Sequence, residues 1–130
     1  MVLWLQVILK LLIVNFAKKK QIKMAVIVST DQDFKKILSE KNKVVVKYYA
    51  DWCGSCKLFS PKYKRISNDE NNSEVTFLDV NAEENELARK MAAVDNLPFF
   101  ATFLNGEFLE STATSKEEVV VKMIENLKTK

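Results

Sequence analysis

Histidine is absent from this 130-residue chain, and cysteine, glycine and proline occur only twice each. Without histidine there is neither a Cys-His nucleophile nor a Ser-His-Asp triad. Structural zinc usually takes four cysteine or histidine ligands, so two cysteines leave only a site shared between two chains, and no metal is expected. No glycine-rich phosphate loop is present, which argues against a bound nucleotide or flavin. The scarcity of glycine and proline, with 48% hydrophobic residues, excludes a disordered chain and a loop-rich disulfide scaffold. The net charge is only +3, and the lysines are spread along the chain rather than gathered beside aromatics. Nucleic acid is therefore not an expected partner. The length fits one domain with a core of its own, plus an extension.

What is present reads as alternating strands and helices. Val26 to Ser29 is a short strand, and Thr30 or Asp31 caps a helix through Glu40 with Phe34, Ile37 and Leu38 inward. Val44 to Tyr49 is a nearly continuous β-branched and aromatic run, as in a strand buried on both faces. A helix follows to about Ser67, with Pro61 inside it as a source of a kink. After the polar loop Asn68–Ser73, Val75 to Val80 is the next strand. Asn81 with Glu84 reads as a helix start, and that helix reaches about Val94. Phe99–Leu104 and Glu107–Glu110 flank Asn105-Gly106, a two-residue hairpin signal. Ser115-Lys116-Glu117-Glu118 is a capping box for a last helix with Val119, Val120, Met123, Ile124 and Leu127 inward. The order β-α-β-α-β-α-β-β-α gives an α/β domain, a mixed central sheet flanked by helices on both faces.

Both cysteines lie in one stretch, Trp52-Cys53-Gly54-Ser55-Cys56-Lys57, at the end of the buried strand and the start of a helix. Helix N-terminal N–H groups and their partial positive charge favour a thiolate there. A Cys-x-x-Cys with no other cysteine suits a redox pair better than a structural staple. Together with Pro61 in the following helix, Leu97-Pro98, and Asn105-Gly106 between two strands, this ordered set resembles the thioredoxin family from about Met24 to the C-terminus.

The resemblance implies the thioredoxin fold and a protein thiol–disulfide oxidoreductase, with no cofactor beyond the Cys53–Cys56 disulfide. Cys53, at the helix terminus, is the expected nucleophile, and Cys56, one turn in and more buried, the resolving thiol. The direction implied is reduction of protein disulfides, because no histidine lies between the cysteines. Ser55 stands where the family usually has proline. The potential then falls between roughly −270 and −200 mV, bracketed by thioredoxin and glutaredoxin values. Electrons come from a separate reductase. Trp52, Gly54, Ser55, Leu97 and Pro98 are the candidate substrate-binding residues. Tyr49 and Phe99 are candidates for an apolar rim, although Tyr49 reads more readily as core. Pro98 matches the family's cis proline; X-Pro is the one peptide bond that is commonly cis. Phe99 replaces the usual threonine after it, and Thr112 the usual glycine beyond the last strand. A thioredoxin-like module that binds a partner without using its thiols is the rival reading.

Lys47 is the sharpest departure. Six residues before Cys53, members of the family usually carry a buried aspartate that helps move the resolving thiol's proton. Its lysine neighbour in bacterial members aligns with Asp79. The pair thus reads as charge-swapped, with Lys47 and Asp79 as candidates for proton transfer, because two partners on adjacent strands relieve the cost of burying a charge. A lysine here also reads as a side chain snorkelling to the sheet edge with no chemical role.

The first 23 residues stand apart. Met1 to Ala17 is an apolar run broken by Gln6, Lys10 and Asn15, followed by Lys18-Lys19-Lys20. A signal peptide carries its charge before the apolar core, not after it. A membrane span needs about 20 apolar residues, and this run is shorter, with a lysine near its centre. Residues 1–23 are therefore read as an extension or peripheral anchor, with membrane association through residues 1–20, and residues 24–130 as the domain. If the run inserts, the lysine cluster holds the domain on the cytoplasmic side. A cytoplasmic monomer is expected, and a membrane-tethered reductant for an exported pathway is the alternative.

Overall fold

The computed structural model describes residues 4–10 and 25–130. Residues 4–10 are helical with exposed side chains. Readings that fall on residues 1–3 and 11–24, including the Lys18–Lys20 cluster and a domain start at Met24, lie outside the described residues. From there the chain runs β1 (Val26–Val28), α1 (Phe34–Glu40), β2 (Lys43–Tyr49), α2 (Gly54–Asn68), a 3₁₀ turn (Glu70–Asn72), β3 (Thr76–Asn81), α3 (Glu86–Met91), β4 (Phe99–Leu104), β5 (Glu107–Ala113) and α4 (Glu117–Lys128).

The β-branched run of β2 takes the centre of the sheet, whose order among the described residues is β1-β3-β2-β4-β5. β1, β3 and β2 are parallel, and β4 and β5 are antiparallel additions. Side chains alternate faces along a strand. Val44, Val46 and Tyr48 therefore pack with Leu78, Val80 and Phe103 against Phe34, Leu38 and Ala88 of α1 and α3. Val45 points the other way, with Phe77 and Phe100, into Phe59 and Tyr63 of α2 and Ile124 and Leu127 of α4. By the same alternation Lys47 and Asp79 belong to the α2 face, and the parallel register sets them side by side. The mixed sheet between two helical layers is the architecture expected.

Local signals set the turns less faithfully than the strands. Asn105 and Gly106 both have positive φ, 53° and 84°, as the hairpin signal requires. β5 continues to Ala113, beyond the expected Glu110, paired along β4. Helix α1 starts at Phe34 with Asp33 in the cap position, rather than Thr30 or Asp31, because Ser29 to Asp33 form a turn. In that turn Asp33 Oδ1 accepts from Thr30 N–H at 3.0 Å and from the Ser29 hydroxyl at 2.7 Å. Asn81 does not start a helix. Its side chain closes a two-residue turn by accepting from Glu83 N–H at 3.0 Å, and α3 begins at Glu86. The Ser115 capping box is not formed either: α4 begins at Glu117, which places Ser115 outside the cap position.

The cap of α3 comes from across the molecule. Asp31 Oδ2 accepts from Leu87 N–H at 3.0 Å and Oδ1 from Ala88 N–H at 2.9 Å, while Asn85 Oδ1 accepts from Asp31 N–H at 2.9 Å. A carboxylate against the free N–H groups of a helix start is the favourable sign for the helix dipole. Asp31→Ala is therefore expected to lower stability by about 1–2 kcal/mol, the cost of a lost cap. Urea unfolding of the variant checks this, and an unchanged midpoint would mean water replaces the carboxylate.

Candidate active site

Helix α2 begins where β2 delivers the chain past Ala50, and its first turn carries both cysteines. Cys53 is the N-cap residue in an extended conformation, and its Sγ accepts the Cys56 N–H at 3.1 Å. One of the helix's free N–H donors is thus aimed at sulfur, which is the arrangement that stabilises a thiolate. Cys53 and Cys56 are disulfide-bonded with Cα atoms 5.3 Å apart. They pack with Ala50, and Tyr49 and Leu97 lean against them. The contrast in exposure expected between the two is small: Cys53 is 5% exposed and Cys56 2%.

The candidate docking residues surround this pair unevenly. Trp52 is 70% exposed, and its indole N–H donates to the Glu83 carboxylate. Gly54 and Ser55 are exposed on the first turn. A Cβ on Gly54 would meet nothing within 4 Å, so the fold itself does not require glycine there. The Leu97–Pro98 peptide bond is cis, and the Pro98 carbonyl accepts Thr114 N–H at 3.1 Å. Phe99 is not part of a rim. It is buried, edge-to-face on Tyr48 with ring centroids 6.1 Å apart, because strand alternation turns it to the α1/α3 core. Thr112 lies on β5 opposite Phe100.

A family model described as Thioredoxin matches residues 25–126. The chain belongs to the thioredoxin family. Thioredoxin-T of Drosophila melanogaster is 35% identical over 95 residues, which cover 73% of this chain and 60% of that protein. Thioredoxin-1 of Schizosaccharomyces pombe is 36% identical over 83 residues, 64% of this chain and 79% of that one. The crystal structure of Malassezia sympodialis thioredoxin superposes with a TM-score of 0.72 at 25% identity, covering 78% of this chain and 92% of that one. With its paired cysteines at the helix terminus, this member of the family is a thiol–disulfide oxidoreductase.

On the α2 face of the sheet Lys47 and Asp79 do pair. Lys47 Nζ lies 3.4 Å from Asp79 Oδ1, with the lysine side chain 1% and the aspartate side chain 21% exposed. Lys47 does not snorkel to the edge of the sheet; β2 is central and α2 covers it. Its ammonium donates instead to Ser60 Oγ at 2.7 Å and sits 5.6 Å and 5.4 Å from the ring centres of Tyr49 and Tyr63. The Ser60 hydroxyl in turn donates to the Cys56 carbonyl at 3.1 Å. The buried cation is thereby tied to the turn that holds the resolving cysteine. The contact of Asp79 Oδ1 with Lys47 is long, 3.4 Å, and too poorly aligned to count as a good hydrogen bond, although the ammonium still favours the ionised carboxylate. Burial raises the Asp79 carboxyl above the usual carboxylate range, and Lys47 pulls it back only in part.

Sequence reasoning brought Cys53, Cys56, Lys47, Asp79, Leu97 and Pro98 to this end of the sheet and missed Ser60 and Glu83. Ser60 had a signal, since it lies four residues after Cys56 and so on the same helical face. Glu83 had none, because it reaches Trp52 only through the fold of the Asn81 turn.

Proposed function

We propose that this protein reduces protein disulfides. The observation that carries the reading is the Cys53 sulfur set as the N-cap of α2 with a backbone N–H aimed at it. In the first step Cys53 thiolate attacks a partner disulfide, one partner sulfur leaves as thiolate, and a mixed disulfide forms. In the second, Cys56 sulfur attacks Cys53, the Cys53–partner bond breaks, and the Cys53–Cys56 bond closes. Two electrons pass from the dithiol to the partner, so a separate reductase must restore the dithiol after each turn. The Cys56 proton goes to the Asp79 carboxylate, whose raised proton affinity suits an acceptor, while Lys47 holds the site's charge balance. Trp52, Leu97 and Pro98 receive the partner's chain, and the open space over Gly54 and Ser55 lets its backbone come close to the sulfurs.

Trapping tests this reading. Cys56→Ser is expected to hold a disulfide-bearing protein covalently on Cys53 until dithiothreitol is added. Capture that survives in Cys53→Ser, or that dithiothreitol does not release, would favour the binding-module reading instead.

We also propose that the domain works as a cytoplasmic monomer, with residues 1–23 outside it. Deleting residues 1–23 is expected to leave cooperative unfolding and disulfide reduction unchanged, because the sheet begins at Val26. A truncated protein without a cooperative transition would make the extension part of the core. Membrane association through residues 1–20 has one observation in its favour: the helical segment 4–10 exposes Trp4, Leu5, Val7, Ile8 and Leu9. Among the described residues no helix is long and apolar enough to cross a membrane. Fractionation of cells making the full chain separates the soluble form from the tethered one.

A further inference from the structure

We propose that Ser60 is a positioning residue: its hydroxyl holds the Lys47 ammonium off the Asp79 carboxylate and so leaves that carboxylate able to take up a proton. Its bearing on exchange rests on the reading of Asp79 as the acceptor of the Cys56 proton. The geometry is specific. Lys47 Nζ gives its short bond, 2.7 Å, to a neutral hydroxyl, and stands 3.4 Å from the carboxylate. Ser60 is oriented for this because its own proton is committed to the Cys56 carbonyl at 3.1 Å, which turns a lone pair toward the ammonium. The Tyr49 and Tyr63 rings flank Nζ on other sides. The result is a buried Asp79 Oδ1 whose one facing cation stands at 3.4 Å without good hydrogen-bond alignment.

Charge-assisted bonds from an ammonium are the strongest means of keeping a carboxylate ionised. A neutral acceptor takes only one of the three ammonium N–H groups, but by fixing the position of Nζ at 3.4 Å from the carboxylate it weakens that hold without removing the countercharge. The other groups facing Asp79 do not replace it. β1 offers its register neighbour Val28, β2 offers Lys47 and Tyr49, and α2 offers Tyr63. The direction of the Asp79 shift, upward through burial with Lys47 opposing, agrees with a partner held back. Ser60 also joins the carboxylate to the reacting turn, since its hydroxyl is bonded both to Lys47 and to the Cys56 carbonyl.

The test reads Asp79 directly. The side-chain carboxyl is titrated by carbon NMR in the oxidised full chain, in wild type, Ser60→Ala and Ser60→Thr. Ser60→Ala is expected to lower the Asp79 midpoint by about 1 unit, the low end of what a contacting opposite charge produces, while Ser60→Thr keeps the wild-type value. An unmoved midpoint in Ser60→Ala, or an equal fall in Ser60→Thr, would overturn the assignment. The pH profile of mixed-disulfide release is then measured on the same variants. A profile that moves with the Asp79 midpoint supports both Ser60 and the acceptor reading. A profile that stays while the midpoint moves leaves Ser60 in place and removes Asp79 as acceptor.

Discussion

Cys53→Ser is expected to reduce insulin-disulfide reduction to the rate of the added reductant alone, the largest effect of any single substitution in the molecule. The loss follows from position. The Cys53 sulfur is the atom that caps α2 and receives the Cys56 N–H, so it has the stabilised charge, and Leu97 and Tyr49 pack beside it. A serine hydroxyl keeps the cap bond but is no nucleophile toward sulfur. The fold should survive, because serine is a strongly preferred N-cap. The unfolding midpoint of reduced wild type is the right reference for the variant, since the variant has no Cys53–Cys56 bond. In single-cysteine variants Cys53 should also alkylate faster than Cys56 at neutral pH. Equal alkylation rates across the pH range would remove the division of roles between the two thiols.

Asp79→Ala is expected to cost about 3–5 kcal/mol, the usual penalty for leaving a buried charge without its partner. Lys47→Met should cost less, which the sequence alone did not imply. The Lys47 side chain is 1% exposed, whereas the Asp79 side chain is 21% exposed and its proton affinity is raised by burial. Losing the carboxylate strands a cation under α2; losing the lysine leaves a carboxyl that can protonate or meet solvent. The double variant Lys47→Met/Asp79→Leu should recover most of the loss, because an apolar pair avoids both desolvation costs. Additivity within about 0.5 kcal/mol across the cycle would mean that the two residues do not interact.

The same pair gives a pH signature. The folded Asp79 carboxyl has the higher proton affinity, so its stability term is fully present below the unfolded value and is lost as pH rises through the folded one. Wild type should therefore gain stability relative to Asp79→Asn as pH falls through that window. In kinetics, Asp79→Asn should slow release of the mixed disulfide more than its formation. Unchanged release would leave water or Lys47 as the proton acceptor.

The sequence by itself determined the sheet and the reacting pair. The nearly continuous β-branched and aromatic run of Val44 to Tyr49 points to a central strand buried on both faces. Cys53 and Cys56 needed only the strand-to-helix junction, because three residues along one helical turn keep two sulfurs within bonding reach. The Asn105-Gly106 turn was legible for a similar reason, since positive φ at two successive positions restricts the residue types. What lay beyond the strands was decided by groups far apart in the chain. Asn81 and Ser115 carry helix-start signals, yet α3 takes its cap from Asp31, fifty-six residues before the Leu87 N–H it accepts. A local cap competes on equal terms with any carboxylate the fold brings to the same N–H groups, and sequence does not show that second carboxylate. Phe99 read as a rim residue until the register of β4 turned it inward onto Tyr48. The register of β2 against β3 made Lys47 and Asp79 neighbours, but only the packing of α2 across that face delivered Ser60 to the ammonium. Hydrogen bonds of that kind depend on ångström-scale placement of side chains from separate elements, and only the folded chain sets that placement.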